Sequence, residues 1–194
     1  MPAERVYTPS MPPATLMTAD ELLRMHIPDK RVDLVRGVLV VREPAGLRHG
    51  RVAMELARQL GNHVVAQDLG RLYAAETGFT LARDPDTVRG PDIAFIRRDR
   101  IPEPEPLGFA ALAPDLVVEV LSPGDRPGEV LAKVADWLSA GTRLVWVIDA
   151  QRRLTRVYRH DGTEQTVTAE QALDGEDVVP GFSCVLTTTL GAPG

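Results

Sequence analysis

The run Asp115-Leu-Val-Val-Glu-Val-Leu-Ser122 decides how the rest of the chain is read. Between its ends every residue is apolar except Glu119. A strand apolar on both faces is normally buried on both faces. A carboxylate left alone there is either costly or forced to hold its proton. Glu119 therefore calls for a partner: a base, a hydrogen-bond network or a metal ion. The run stops at Ser122-Pro-Gly-Asp-Arg-Pro127, a turn that puts Pro127 in the first turn of a helix, where proline is tolerated. That helix reaches about residue 140 and Gly141 closes it. Arg143-Leu-Val-Trp-Val-Ile-Asp149 is a second buried-type strand. Strand, helix and strand over 115–149 imply a right-handed crossover between two parallel strands.

Upstream, Thr18-Ala-Asp-Glu21 reads as a capping box opening a short helix to about residue 25. Residues 31–42 form two apolar runs around Arg36-Gly37, the pattern of a hairpin. Val52, Leu56, Leu60 and Val64 make a helical stripe over 50–65. Residues 72–82 read as one strand, Asp84-Pro-Asp-Thr as a turn, and Pro91-Asp-Ile-Ala-Phe-Ile96 as the next strand. Pro102, Pro104 and Pro106 mark an irregular loop. Residues 154–159 pair back through Gln151-Arg-Arg, and weak alternation continues from 162 to about 189. Four prolines in the first thirteen residues predict a flexible tail over 1–16, leaving 17–191 as one domain. The fold class is α/β: a mixed central β-sheet flanked by helices, with an N-terminal helix and β-hairpin extension.

A net charge of −5 argues against gripping nucleic acid by bulk positive charge, but leaves room for a local basic path. The lone cysteine, Cys184, excludes an intramolecular disulfide. No apolar run is long enough to span a bilayer, and the first residues do not read as a signal peptide, so a cytoplasmic protein with no membrane partner is expected. P-loop glycines, zinc-type Cys/His spacing and a Gly-x-Ser-x-Gly elbow are all missing.

Asp92 follows Arg89-Gly-Pro, at the mouth of a strand. Alternation sets Asp92, Ala94 and Ile96 on one face, and Glu119 shares its face with Val117 and Leu121. If the two strands are neighbours, the two carboxylates converge, and one takes a proton unless a cation lies between them. Mg²⁺ or Mn²⁺ suits such an all-oxygen site, where it polarises phosphate and acidifies water. Lys133 and Lys30 are the only lysines among 22 basic residues. Lys133 sits at the edge of the helical stripe Val130, Val134, Trp137 and Leu138, from which an ammonium could relieve phosphate charge. Each residue also has a plainer reading: Asp92 as a turn residue, Glu119 as the partner of an arginine, Lys133 as a side chain snorkelling past Trp137.

Arg89-Gly-Pro-Asp-Ile-Ala-Phe-Ile, the 115–126 run, Lys133 with Trp137-Leu-Ser-Ala-Gly, and Leu144-Val-Trp-Val-Ile-Asp149 together resemble the Uma-type restriction endonuclease family of the PD-(D/E)XK nuclease superfamily. The resemblance covers about residues 17–190. It implies a restriction-endonuclease-like core and metal-dependent phosphodiester hydrolysis, with Asp92 and Glu119 as metal ligands and Lys133 as the catalytic lysine. It departs from the superfamily signature at Leu121, where a lysine is expected, and the helix supplies Lys133 instead.

Asp33, His49 and Glu76 also match recurring family positions. Glu76 reads equally as an outer metal ligand or as half of a cross-strand salt bridge; His49 as a helix-start residue or a base; Asp33 as a structural residue of the hairpin or one that edges the site. Arg97, Arg98 and Arg100, and Arg152, Arg153 and Arg156, read as phosphate contacts or as a solvated surface. The function expected is an endonuclease acting on nucleic acid, DNA in the first instance, with a homodimer expected by analogy. The alternative is a nuclease-fold binding module without turnover. A carboxylate-pair glycosidase fits poorly with so few aromatic residues.

Overall fold

The computed structural model describes residues 16–191, so nearly all of the tail expected over 1–16 lies outside the described residues. Helix α1 (Ala19–Arg24) starts at the expected capping box, in which Thr18 and Glu21 satisfy each other's backbone N–H groups. Strands β1 (Arg31–Val35) and β2 (Val38–Arg42) form the hairpin, with Arg36 and Gly37 both at positive φ in its turn. Helix α2 (Leu47–Ala66) begins earlier than the periodicity suggested and buries Val52, Leu56, Leu60 and Val64.

Residues 72–82 are not one strand. They divide into β3 (Gly70–Ala74) and β4 (Phe79–Ala82), which belong to different sheets. The break lies at Glu76, whose φ of 69° turns the chain out of the ladder. Strand β5 (Thr87–Arg89) then pairs with β4 on one side and β1 on the other, giving a four-stranded sheet β2-β1-β5-β4. The N-terminal hairpin is thus built into a second sheet rather than appended to the core.

The central sheet holds β3, β6 (Ile93–Arg97), β7 (Leu116–Val120), β8 (Leu144–Asp149), β9 (Leu154–Arg159) and β10 (Glu164–Thr168), in the order β10-β9-β8-β7-β6-β3. Only β7 and β8 run parallel, joined by α3 (Pro127–Ser139) as the crossover rule requires. The other neighbours are antiparallel, so the sheet is mixed. Alternation sorts the two faces. Ile93, Phe95, Leu116, Val118 and Trp146 pack against α2 and the C-terminal segment. That segment comprises β11 (Ala172–Asp174), β12 (Ser183–Val185) and α4 (Leu186–Leu190). Ala94, Ile96, Val117 and Val145 pack on the other face against Val134 and Trp137 of α3. Glu119 points to this second face, toward α3. No helix among the described residues is long and apolar enough to cross a membrane.

Candidate functional site

Strand β6 runs antiparallel to β7 with Ile93 opposite Val118, and the Asp92 N–H donates to the Val118 carbonyl at 3.1 Å. One further step of this register sets Asp92 directly across from Glu119. Facing residues of an antiparallel pair hold their Cβ atoms about 4.5–5.5 Å apart. The turn that delivers Asp92 is anchored from the second sheet. Asp33, buried in β1, accepts from Arg89 Nη1 at 3.0 Å and from the Gly90 N–H at 3.2 Å. Asp136 of α3 holds the other side of Arg89 at 2.6 Å. Two sheets and a helix thereby fix the bend before Asp92.

Asp92 Oδ2 accepts from the Val120 N–H at 2.7 Å, and Oδ1 accepts from Arg31 Nη2 at 2.8 Å. His49, in the first turn of α2, brings Nε2 to 3.0 Å from Oδ2, out of line for a full hydrogen bond. Glu119 Oε2 accepts from Lys133 Nζ at 2.7 Å, and Oε1 accepts from the Trp137 indole N–H at 3.0 Å. Lys133 Nζ also donates to the Gly90 carbonyl at 3.3 Å. Lys133 and Trp137 are four residues apart, one turn of α3, so both reach the same carboxylate.

The two acids are tuned in opposite directions. Burial raises Glu119 above the ordinary carboxylate range, and the negative charge of Asp92 adds to this, outweighing the pull of Lys133 and Trp137. Burial presses upward on Asp92 as well, but His49, the Val120 N–H and Arg31 win and hold it below that range. The same pair of facing acids is thus pulled apart, Asp92 toward its charged form and Glu119 toward its neutral form. Both line a cavity of about 40 Å³ together with Lys133 and Arg31. Among the described residues no group of three or more His, Cys, Asp or Glu is arranged to hold a metal ion. A cation here would take two carboxylates and complete its shell with water, the habit of Mg²⁺.

Residues 19–189 match the Uma2 family, whose description is "Putative restriction endonuclease". The chain belongs to the Uma2 family. A crystal structure described as "a putative nuclease belonging to DUF820", from Anabaena variabilis ATCC 29413, superposes with a TM-score of 0.79 at 22% identity. The match covers 90% of this chain and 97% of that chain, and the likeness is one of fold. None of the curated proteins compared with the chain matches it.

In this Uma2 chain Asp92, Glu119, Lys133 and His49 come together, and Asp33 stands behind them as an anchor of the turn. Glu76 lies at the exposed turn after β3, on the rim of a cleft of about 730 Å³ that Asp92 and His49 also line. It makes no cross-strand salt bridge among the described residues, and its own strand ends before it. Arg97, Arg98 and Arg100 are placed differently from expectation. Arg97 is five residues along the strand from Asp92, about 16 Å at 3.3 Å per residue. Arg98 pairs with Asp68, Arg97 with Asp99, and Arg100 with Asp115. That cluster belongs to the far end of the sheet and faces carboxylates of its own chain. On the site's side, a cavity of about 570 Å³ opens past Leu121, Asp125 and Val130, which it shares with the small one, and Arg48, Arg152 and Arg156 line it.

Sequence reasoning missed Arg31, Arg48, Asp125 and the role of the Trp137 N–H. The helical spacing of Lys133 and Trp137 carried a signal for the last. Arg31 carried none, because nothing local separates it from Arg42, its partner across the hairpin.

Proposed function

We propose that this chain is a divalent-cation-dependent endonuclease that hydrolyses phosphodiester bonds, with DNA as substrate and Mg²⁺ or Mn²⁺ as the ion. The observation that carries the reading is the meeting of Asp92, Glu119 and the Lys133 ammonium around one small cavity. The donor chemistry fits a hard cation: two opposed carboxylates, one lowered and one raised by burial and by its neighbour's charge. Asp92 and Glu119 would hold the ion, which supplies polarisation of the phosphoryl oxygen and a more acidic water. Within the protein, Lys133 exchanges its bond to Glu119 for the phosphate, where negative charge builds as the water oxygen bonds to phosphorus and gives its proton to solvent, while the leaving P–O bond breaks and the departing oxygen takes a proton from solvent. Trp137 keeps Glu119 aimed at the cavity while Lys133 moves. His49 and the Val120 N–H fix the Asp92 carboxylate, and Arg31 yields Oδ1. By analogy of fold the assembly is a homodimer.

The test is nicking of DNA with Mg²⁺ or Mn²⁺. Glu119→Ala should abolish it while the circular dichroism spectrum stays that of the parent; undiminished nicking by that variant sinks the proposal. One observation favours a second reading, a binding module without turnover: all four oxygens of Asp92 and Glu119 already face protein donors. Calorimetry with Mn²⁺ separates the two. The nuclease shows a site that vanishes in Asp92→Ala, and the module shows none.

A further inference from the structure

The cavity of about 570 Å³ lies at the C-terminal ends of the parallel strands β7 and β8, beside the start of α3, where open α/β sheets place their ligands. It is far larger than an ion needs and falls within the roughly 300–1,000 Å³ typical of organic ligands. Its walls are apolar, with Leu121, Val130, Val147 and Leu154, and Tyr158 adds an aromatic ring. Two polar side chains on the lining, Ser122 and Gln151, make no hydrogen bond to the described residues.

The cavity lining carries three arginines, Arg48, Arg152 and Arg156, against two carboxylates, Asp125 and Asp149. The chain is acidic overall, and arginines elsewhere, such as Arg31, Arg89 and Arg100, are committed to carboxylates. Arg48 and Arg156 have no carboxylate within 4.0 Å among the described residues, and both line this cavity. Its shared wall of Leu121, Asp125 and Val130 joins it directly to the space between Asp92 and Glu119.

We propose that this cavity receives an unstacked nucleobase next to the scissile phosphate, with Arg48 and Arg156 on the flanking backbone. The substrate is then single-stranded or locally unpaired nucleic acid rather than intact duplex. This deepens the nuclease reading and rests on it. An apolar slot with an aromatic wall suits the face of any base, and free hydroxyl and amide groups suit its edge. A base inside a duplex has both faces covered and its edge paired, so it enters such a slot only after leaving the stack.

The test measures binding of the full chain to labelled oligonucleotides by fluorescence anisotropy in chelator, so that no cleavage intervenes. A single strand should bind about tenfold or more tighter than its blunt duplex, and one mismatched pair should recover part of the difference. Leu131→Trp, which fills the cavity from its half-exposed wall, should lower single-strand affinity about tenfold with an unchanged melting temperature. Gln151→Trp fills it independently from an exposed loop. Arg156→Ala should reduce the salt slope by about 0.7, the contribution of one single-strand phosphate contact. Equal affinity for duplex and single strand, or filled variants that bind as the parent does, overturns the proposal. So does a cavity that takes an apolar dye but no oligonucleotide. If metal-dependent cleavage of duplex survives in the filled variants, the cavity assignment falls and the nuclease reading stands. If selective single-strand binding is lost on filling while no cleavage is ever seen, the cavity assignment stands and the nuclease reading falls.

Discussion

The β6–β7 ladder carries buried acids at both ends, and the two ends do different things. At one end Asp115, 1% exposed, accepts from the Arg97 N–H at 2.9 Å and from Arg100 at 2.7 Å. Arg100 is tied further to the Ala113 carbonyl at 3.0 Å. At the other end Asp92 and Glu119, 4% and 7% exposed, face cavities and take their main partners from Arg31 and Lys133, side chains at the cavity rim. Burial and a cationic neighbour are common to both ends. What separates them is whether the cation can let go and whether something can take its place. Asp115 is closed on all sides by its own chain. Glu119 is held by an ammonium on four flexible carbons beside empty space.

This contrast sets the expected effects, beginning with the largest. Asp115→Ala should destabilise the fold by about 2–4 kcal/mol, because it leaves the Arg97 N–H without its acceptor and removes the charge-assisted bond to Arg100. Denaturant unfolding measures this, and the cleavage rate per folded molecule should not change. A parallel collapse of cleavage would erase the distinction between the ends. Lys133→Ala should do the reverse. Cleavage falls about 10²- to 10³-fold, as when one electrostatic donor to a transition state is removed. Stability should fall less than in Asp115→Ala, since burial already pushes Glu119 toward its neutral form and the Trp137 N–H stays in place. Single-turnover rates paired with thermal melts check both halves. On the proposed metal site, His49→Gln should weaken Mn²⁺ binding about tenfold by calorimetry, the cost of loosening a carboxylate that ligates an ion.

The smallest effect is a slope. Glu119 is raised above its ordinary value of 4.5, so the folded chain keeps that proton to higher pH than the unfolded chain does. Stability without metal should therefore fall as pH rises from 4.5 through the native value, by at most about 1.4 kcal/mol per pH unit. Glu119→Gln should remove this slope. Asp92 has the opposite sign: its contribution is present above 3.8 and is lost as pH falls through its lowered native value. Melting temperatures from pH 4 to 8, with and without Mg²⁺, would show whether the open end alone carries the alkaline slope.

Much of this was readable beforehand where local pattern and tertiary structure agree. The strand of Glu119, the crossover through α3 and the face shared by Ala94 and Ile96 all follow from periodicity. The same logic failed at residues 72–82, because two apolar stretches on either side of Glu76-Thr77-Gly78 do not say which sheet each joins. Glu76 broke the run, and no composition signal marks a glutamate held at positive φ. Arginine clusters show a related limit. Arg97, Arg98 and Arg100 look like a basic patch in one dimension, yet Asp68 and Asp115 meet them from elsewhere in the chain. Arg48 and Arg156 are more than a hundred residues apart, and only folding brings them to one cavity.

Asp92 occupies the point where β6 has run out of backbone. Pro91 before it has no N–H to offer, and the Asp92 side chain accepts the Val120 N–H that would otherwise seek a carbonyl. The carboxylate is therefore a rung of the ladder as well as a charge. Inheritance acts on the two roles together. A descendant that abandons cleavage still needs that rung and keeps Asp92, while nothing in the sheet obliges it to keep Lys133. On the proposed nuclease reading, the lysine, more than the aspartate, should report which relatives cut.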